Sequence, residues 1–147
     1  LKLAHYDDAV SDFSTAIKKV PADKPISRYL LNRGNAYLGL KQYTPAYADL
    51  SEAIKLDNNN YEAYKNRGIA AEGLKDMKGA SYDYQNLTRI QPSNGEGYYK
   101  LAMVKYDMFM KDDACELFNK AKTLGYADAE ARVKLCKLRS QSGQKPQ

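Results

Sequence analysis

The sequence predicts an all-α fold built from an array of antiparallel helix pairs. The first observation is a repeat, because residues 31–43 (LNRGNAYLGLKQY) and 65–77 (KNRGIAAEGLKDM) share the Asn-Arg-Gly segment 34 residues apart. The second is the spacing of apolar residues, which recur at three- and four-residue steps as in amphipathic helices. A fixed period that contains two helical segments is typical of helix pairs that stack on their neighbours.

Four columns of residues repeat with this period and define the units. The columns are Gly34, Gly68 and Ala102; Ala46, Ala80 and Ala114; Leu50, Tyr84 and Phe118; and Ala53, Leu87 and Ala121. The predicted boundaries are a half repeat over 1–26, complete repeats over 27–60, 61–94 and 95–128, a capping helix over 129–139 and a disordered tail over 140–147. Each complete unit therefore contains helix A, which carries the glycine column, and helix B, which carries the other three.

Short polar segments predict where the helices begin. Thr44 is expected to cap helix B of the first complete unit, and Pro45 suits its first turn, where the missing N–H is not needed. Two segments have the capping-box spacing and predict the starts of later helices A. These segments are Asn59 with Glu62 and Ser93 with Glu96, and Asp128 is expected to cap the last helix.

Glycine in the middle of a helix needs a compensating gain. It costs about 0.5–1 kcal/mol relative to alanine, yet Gly34 and Gly68 both lie in helical patterns. We expect these glycines to let helix A nest against helix B of its own unit, opposite the alanine column. The large residues of the third column are expected to fill the gap toward the next unit.

These columns resemble the consensus of the tetratricopeptide repeat family. The resemblance is carried by the 34-residue period, the small residue in helix A, the aromatic Tyr37 and the Ala-large-Ala spacing of helix B. It covers about residues 1–139; KAKTLGYADAEARVKL is also similar to the related Sel1-like repeats, but the 34-residue spacing favours the first family. The resemblance implies a right-handed α-solenoid of about three and a half units plus a capping helix, with helices A lining a concave groove. Such proteins hold peptides or partner proteins and are not enzymes.

The face of helix A opposite the glycine column supplies the predicted peptide-binding residues. They are Arg28, Asn32 and Asn35 in the first complete unit, Lys65 and Asn66 in the second, and Tyr99 and Lys100 in the third. The asparagines can both donate to and accept from a peptide backbone. The arginine and lysines can pair with acidic groups.

A chaperone-tail clamp is not expected. Some members of the family grip the C-terminal carboxylate of heat-shock chaperones with a lysine–asparagine–asparagine–lysine–arginine set. Asn35 and Asn66 match its two asparagines, whereas Leu31 and Glu96 stand where the two lysines belong, and Lys100 stands for the arginine. Because two charged positions are lost, the sequence predicts a different ligand.

No residue pattern favours catalysis, a metal or a cofactor. The single histidine, His5, has no nucleophile motif around it, and the usual phosphate-loop, zinc-protease and nucleophile-elbow motifs are missing. Cys115 and Cys136 are interpreted as small buried hydrophobic residues, with a disulfide between adjacent helices left open. We therefore predict no catalytic residues, no metal ligands and no cofactor.

The charge is concentrated at one end of the chain. The net charge is +5, and residues 132–147 supply all of it, so the rest is neutral. A neutral body is not a nucleic-acid-binding face, and without a run of about 18 apolar residues we expect no membrane insertion. We expect a soluble protein, with a cytoplasmic location favoured, whose sequence begins inside a helix and lacks the N-terminus.

Two functions fit these observations. The first is a scaffold or adaptor that binds a peptide or partner protein in the helix-A groove. The second is a structural oligomerisation or linker module with no peptide ligand. The first helix B carries Val10, Phe13 and Ile17, an apolar face that either upstream sequence or a second copy is expected to cover.

Overall fold

Helix pairs occupy the whole described part of the chain. The computed structural model describes residues 2–21 and 26–142, and within them the chain forms eight α-helices and no strand. The helices are α1 (Lys2–Lys19), α2 (Ser27–Gly39), α3 (Tyr43–Leu56), α4 (Tyr61–Gly73), α5 (Met77–Ile90), α6 (Gly95–Asp107), α7 (Lys111–Thr123) and α8 (Ala129–Ser142). Helices A are therefore α2, α4 and α6, and helices B are α3, α5 and α7.

The chain divides into two compact units. Unit 1 comprises Leu1–Asn86 and unit 2 comprises Leu87–Gln147, so the division falls inside α5. The core of unit 1 contains Ala46, Leu50 and Ala70, with Leu31, Tyr37, Leu38 and Tyr47 packed against it. The core of unit 2 contains Ala102, Ala114, Phe118 and Val133, with Tyr99, Met103, Leu117 and Cys136 packed against it.

The glycine column lies where helix A and helix B of one repeat approach each other. A Cβ atom added to Gly34 would lie 2.8 Å from Leu50 Cγ, and one added to Gly68 would clash with the edge of the Tyr84 ring at Cε1. The expected nesting of helix A on helix B of the same 34-residue repeat is confirmed. The prediction that the large residues Leu50 and Tyr84 fill the gap toward the next repeat is wrong. Leu50 and Tyr84 each fill the notch at the glycine of their own repeat, because the glycine leaves room for a large side chain there.

The turns from helix A to helix B repeat the same backbone geometry. Lys41, Lys75 and Phe109 each adopt a left-handed conformation, with φ between 57° and 64°. In each turn the next N–H donates to the carbonyl five residues earlier, as Gln42 N does to Tyr37 O at 2.8 Å. This is the Schellman arrangement, with a non-glycine residue at the left-handed position.

Three predicted helix boundaries are wrong by one or two residues. α3 begins at Tyr43 after Gln42, so Thr44 lies inside the first turn and does not cap the helix. Asn60 caps α4 by accepting from Ala63 N, and Asn94 caps α6 by accepting from Glu96 N, in place of Asn59 and Ser93. In both cases the capping side chain lies directly before the first helical residue, where it reaches the unpaired N–H groups.

The C-terminal helix is longer than predicted. α8 continues to Ser142, past the predicted end at residue 139, so the predicted disordered tail begins inside a helix. The rest of that tail, residues 143–147, lies outside the described residues, as do residues 22–25 of the predicted half repeat.

Candidate functional site

Two predicted residues of unit 1 meet between consecutive helices A. Asn66 Nδ2, on α4, donates to Asn35 Oδ1, on α2, at 2.6 Å and to Glu62 Oε1 at 3.4 Å. Asn66 is 8% exposed, whereas Asn35 is half-buried. An asparagine amide offers two N–H donors and an acceptor oxygen. The bond within the pair thus uses an Asn66 N–H and the Asn35 carbonyl oxygen, and it does not involve the Asn35 N–H₂ group or the Asn66 carbonyl oxygen.

Arg28 and Asn32 lie on the same face of α2 as Asn35. The three residues are spaced by four and three positions, which places them on one side of a helix. Arg28 is exposed and Asn32 is half-buried. This face of α2 thus presents a guanidinium and two amides in a row.

Lys65 has a partner on its own helix. Its Nζ lies 3.4 Å from Glu62 Oε2, one turn earlier on α4. Glu62 therefore contacts both Lys65 and Asn66. Its carboxylate balances part of the positive charge of Lys65, the charge that was predicted to pair with an acidic group of a ligand. The exposed Arg28 is the better placed cation on the unit 1 face.

The two predicted residues of unit 2 lie on α6. The ring of Tyr99 packs against Phe118 and Tyr126, with centroid separations of 5.6 and 5.0 Å. Tyr99 therefore contributes to the core of unit 2, and Lys100 beside it is half-buried. The structure brings Asn35 and Asn66 together but gives Tyr99 a packing role.

A repeated ion-pair motif supports the unit 1 face, and the sequence analysis missed it. Arg33 forms two hydrogen bonds to the Asp49 carboxylate, at 2.6 and 2.8 Å, and donates to Ser14 Oγ at 3.1 Å. One period later, Arg67 binds the Asp83 carboxylate in the same way and donates to Ser51 Oγ at 3.3 Å. Each arginine thus joins its helix A to helix B of the same repeat and to helix B of the preceding repeat.

The electrostatics of these pairs favour the charged arginine. The hydrogen bond to Asp49 raises the pKa of the Arg33 guanidinium above its ordinary value. Burial works to lower the pKa of Arg67, but the hydrogen bond and the charge of Asp83 outweigh it, so this pKa is also raised. The signal was present in the sequence, since the arginine of both Asn-Arg-Gly segments is followed sixteen residues later by aspartate.

The cysteines of unit 2 form a disulfide, so their interpretation as separate buried hydrophobic residues is wrong. Cys115 on α7 and Cys136 on α8 are bonded, with their Cα atoms 5.8 Å apart. Both side chains are half-buried. The bond is the alternative that the sequence left open, and only the packing of α7 on α8 decides it.

Neither a metal site nor a membrane-spanning helix occurs among the described residues. No group of three or more histidine, cysteine or acidic side chains among them could hold a metal ion. None of the helices in the described part of the chain combines the length and apolar character that crossing a membrane requires.

Comparison with known proteins identifies the repeat. The family model for the tetratricopeptide repeat matches residues 27–60, one 34-residue unit that begins with α2 and includes α3. The chain belongs to the tetratricopeptide repeat family. The predicted fold class, an all-α array of these repeats, is confirmed by this match and by solved structures of similar fold.

Known tetratricopeptide repeat proteins match most of the chain. RNA polymerase II-associated protein 3 from Xenopus tropicalis is 30% identical over 107 residues, which are 73% of this chain and 16% of that protein. The chain thus spans about one sixth of this relative. Among solved structures, MamA superposes with a TM-score of 0.83 at 22% identity, over 92% of this chain and 79% of that one.

A third comparison is a repeat domain solved with a ligand. The first TPR of Spaghetti (RPAP3), bound to the HSP90 peptide SRMEEVD, has a TM-score of 0.71 at 17% identity. The superposition covers 78% of this chain and 93% of that one. At this identity the likeness describes the fold alone.

Proposed function

We propose that this chain is a non-catalytic adaptor that binds an extended peptide segment of a partner protein on the α2–α4 face of unit 1. The observation that carries the proposal is the amide pair of Asn35 and Asn66, linked at 2.6 Å between two helices A. A peptide group has one donor and one acceptor, and the amide groups that the bond within the pair does not use are complementary to both. RNA polymerase II-associated protein 3 is 30% identical to this chain, and the repeat domain of RPAP3 was solved with a bound peptide, which supports the same class of function here.

The spacing on α2 suggests which peptide would fit. Arg28 lies seven residues before Asn35, which is about 10 Å along a helix axis. An extended chain advances about 3.3 Å per residue, so about three residues span that distance. The proposed ligand therefore carries an acidic residue about three positions from the peptide group held by Asn35, and Arg28 binds its carboxylate.

A chaperone C-terminal tail fits this face poorly. Leu31, at the position of the first clamp lysine, packs against the core cluster of Ala46, Leu50 and Ala70. We therefore expect SRMEEVD, the peptide bound by the RPAP3 repeat domain, to bind no better than its C-terminally amidated form. Fluorescence anisotropy with both peptides measures this, and a clear preference for the free carboxylate would contradict the proposed specificity.

The proposal is tested with peptides selected on the folded chain from a random display library. The informative variant is Asn35→Ala/Asn66→Ala, because removing both amides leaves neither one buried without its partner. We expect affinity for the selected peptides to fall about three- to tenfold or more, as lost hydrogen bonds predict.

The matched control is Asn119→Ala, which removes an exposed amide of α7 that donates to Cys115 O. Circular dichroism confirms that both variants are folded. If the double variant binds selected peptides as the control does, the α2–α4 face is not the binding site.

We propose self-association through α1 as a second candidate function. Phe13, in the column of Leu50, Tyr84 and Phe118, is half-buried, whereas those three side chains are at most 1% exposed. Val10 and Ile17, on the same face, are also half-buried. Sedimentation velocity at rising concentration tests this candidate, and a constant monomer would exclude it.

A further inference from the structure

The exposed face of α8 corresponds, by the repeat, to the face of α4 that α5 covers. In unit 1, Asp83 and Tyr84 of α5 cover Arg67 and Gly68 of α4. Two periods after those α4 residues, α8 carries Leu135 and Cys136, and Leu135 is 58% exposed. A cavity of about 180 Å³ opens there. Its lining residues are Tyr106, Cys115, Phe118, Arg132, Leu135 and Cys136.

The helices that fill this position in unit 1 share a short pattern. An acidic residue binds the arginine of helix A, and the next residue, which is large and apolar, fills the glycine notch. The pairs are Asp49-Leu50 on α3 and Asp83-Tyr84 on α5. The same pattern occurs on α1 as Asp12-Phe13, where Asp12 is exposed and Phe13 is half-buried.

The middle of α1 and the exposed part of α8 carry opposite charges, whereas α1 as a whole is neutral because lysines lie at both of its ends. Residues 5–17 of α1 contain three aspartates and no lysine or arginine. Residues 131–138 of α8 contain Arg132, Lys134 and Lys137 and no acidic residue. Such patches attract each other over about 10 Å at moderate ionic strength and favour one orientation of approach.

We propose that α8 of one copy receives α1 of a second copy. Phe13 enters the cavity beside Leu135 and Cys136. Leu135 occupies the place of Arg67 on α8, and Asp12 instead faces the guanidinium of Arg132, one turn earlier on the helix. The two surfaces are different, so the contact is head-to-tail and can add further copies. The inference rests on the second candidate function and names its receiving surface; it does not depend on peptide binding at Asn35 and Asn66.

Sedimentation velocity of the full chain tests the proposal, over concentrations from about 10 μM to about 1 mM that a weak contact requires. We expect Leu135→Glu to weaken association about tenfold or more, because it puts a charge into an apolar contact. The matched control is Tyr82→Glu, which alters a side chain of α5 that is 60% exposed and lies outside both surfaces. We expect the control to associate like the original chain.

Charge exchange and mixing make the test specific. Asp12→Lys and Arg132→Glu should each weaken association, and the variant carrying both should recover it. Leu135→Glu mixed with Asp12→Lys should give pairs and nothing larger, because each chain keeps one intact surface.

A chain that stays monomeric over this range overturns the proposal and leaves the α8 cavity to a helix of another partner. Association that survives Leu135→Glu also overturns it, since α1 would then pair without α8. The outcome of the peptide-binding experiment on the α2–α4 face does not depend on this result.

Discussion

The buried pair of Arg67 and Asp83 makes the clearest prediction about stability. Their closest atoms, Nη2 and Oδ1, lie 2.6 Å apart, and the side chains are 14% and 1% exposed. At an effective dielectric constant of about 20, the attraction at 2.6 Å is about 6 kcal/mol. Removing two ions from water costs several kcal/mol each, so the net contribution of the intact pair is small.

Asp83→Ala should therefore cost far more than the net contribution of the pair. It leaves the Arg67 charge buried without its partner, which costs about 3–5 kcal/mol in comparable cases. We expect the lower end of that range, because Arg67 keeps its bond to Ser51 and lies 5.5 Å from the ring of Tyr47. A loss of about 3 kcal/mol is a large part of the stability of a small domain.

The chain itself suggests the rescue. One period after Arg67 and Asp83 stand Leu101 and Leu117, an apolar pair in the same two columns. Arg67→Leu/Asp83→Leu should therefore recover most of the loss, since two apolar side chains avoid the cost of desolvating charges. The double variant is expected to be more stable than Asp83→Ala.

Urea unfolding followed by far-UV circular dichroism measures these differences, with the slope checked for constancy. The control is Glu52→Ala, which breaks the exposed pair with Lys55 at 2.8 Å and should cost about 0.5 kcal/mol or less. If Asp83→Ala costs no more than the control, or if the double variant loses more than Asp83→Ala, the account of the buried pair is wrong.

Two further predictions concern the notch and the disulfide. Gly68→Ala should destabilise the chain by about 1–3 kcal/mol in urea unfolding, because its Cβ would clash with the edge of the Tyr84 ring. Gly79→Ala displaces only the exposed Asp76 carboxylate, which accepts from Gly79 N at 2.9 Å, and should cost about 1 kcal/mol or less. Reduction of the bond between Cys115 and Cys136 should lower stability by about 2–4 kcal/mol. A thermal midpoint unchanged by reductant, or equal reductant sensitivity of Cys115→Ser/Cys136→Ser, would contradict this second expectation.

The candidate site was only partly predictable. The sequence places Asn35 and Asn66 in equivalent faces of consecutive helices A, but their mutual hydrogen bond needs α2 and α4 side by side. Tyr99 has the same predicted role, yet it packs against Phe118 and Tyr126, because a large ring at the edge of a face can turn into the core. Periodicity predicts the face of the helix on which a residue lies, and packing against neighbouring helices decides the direction of its side chain.

The amino-acid sequence by itself determined the helix pairs, their 34-residue period and the glycine notches. These features depend on residues close in the chain and on steric size, which repeat with the period. Tertiary structure decided the pairing of Arg33 with Asp49 and of Arg67 with Asp83, the disulfide and the shifts of the helix caps by one or two residues. Those contacts depend on distances of a few ångströms between separate helices or at helix ends, which hydrophobic periodicity does not specify.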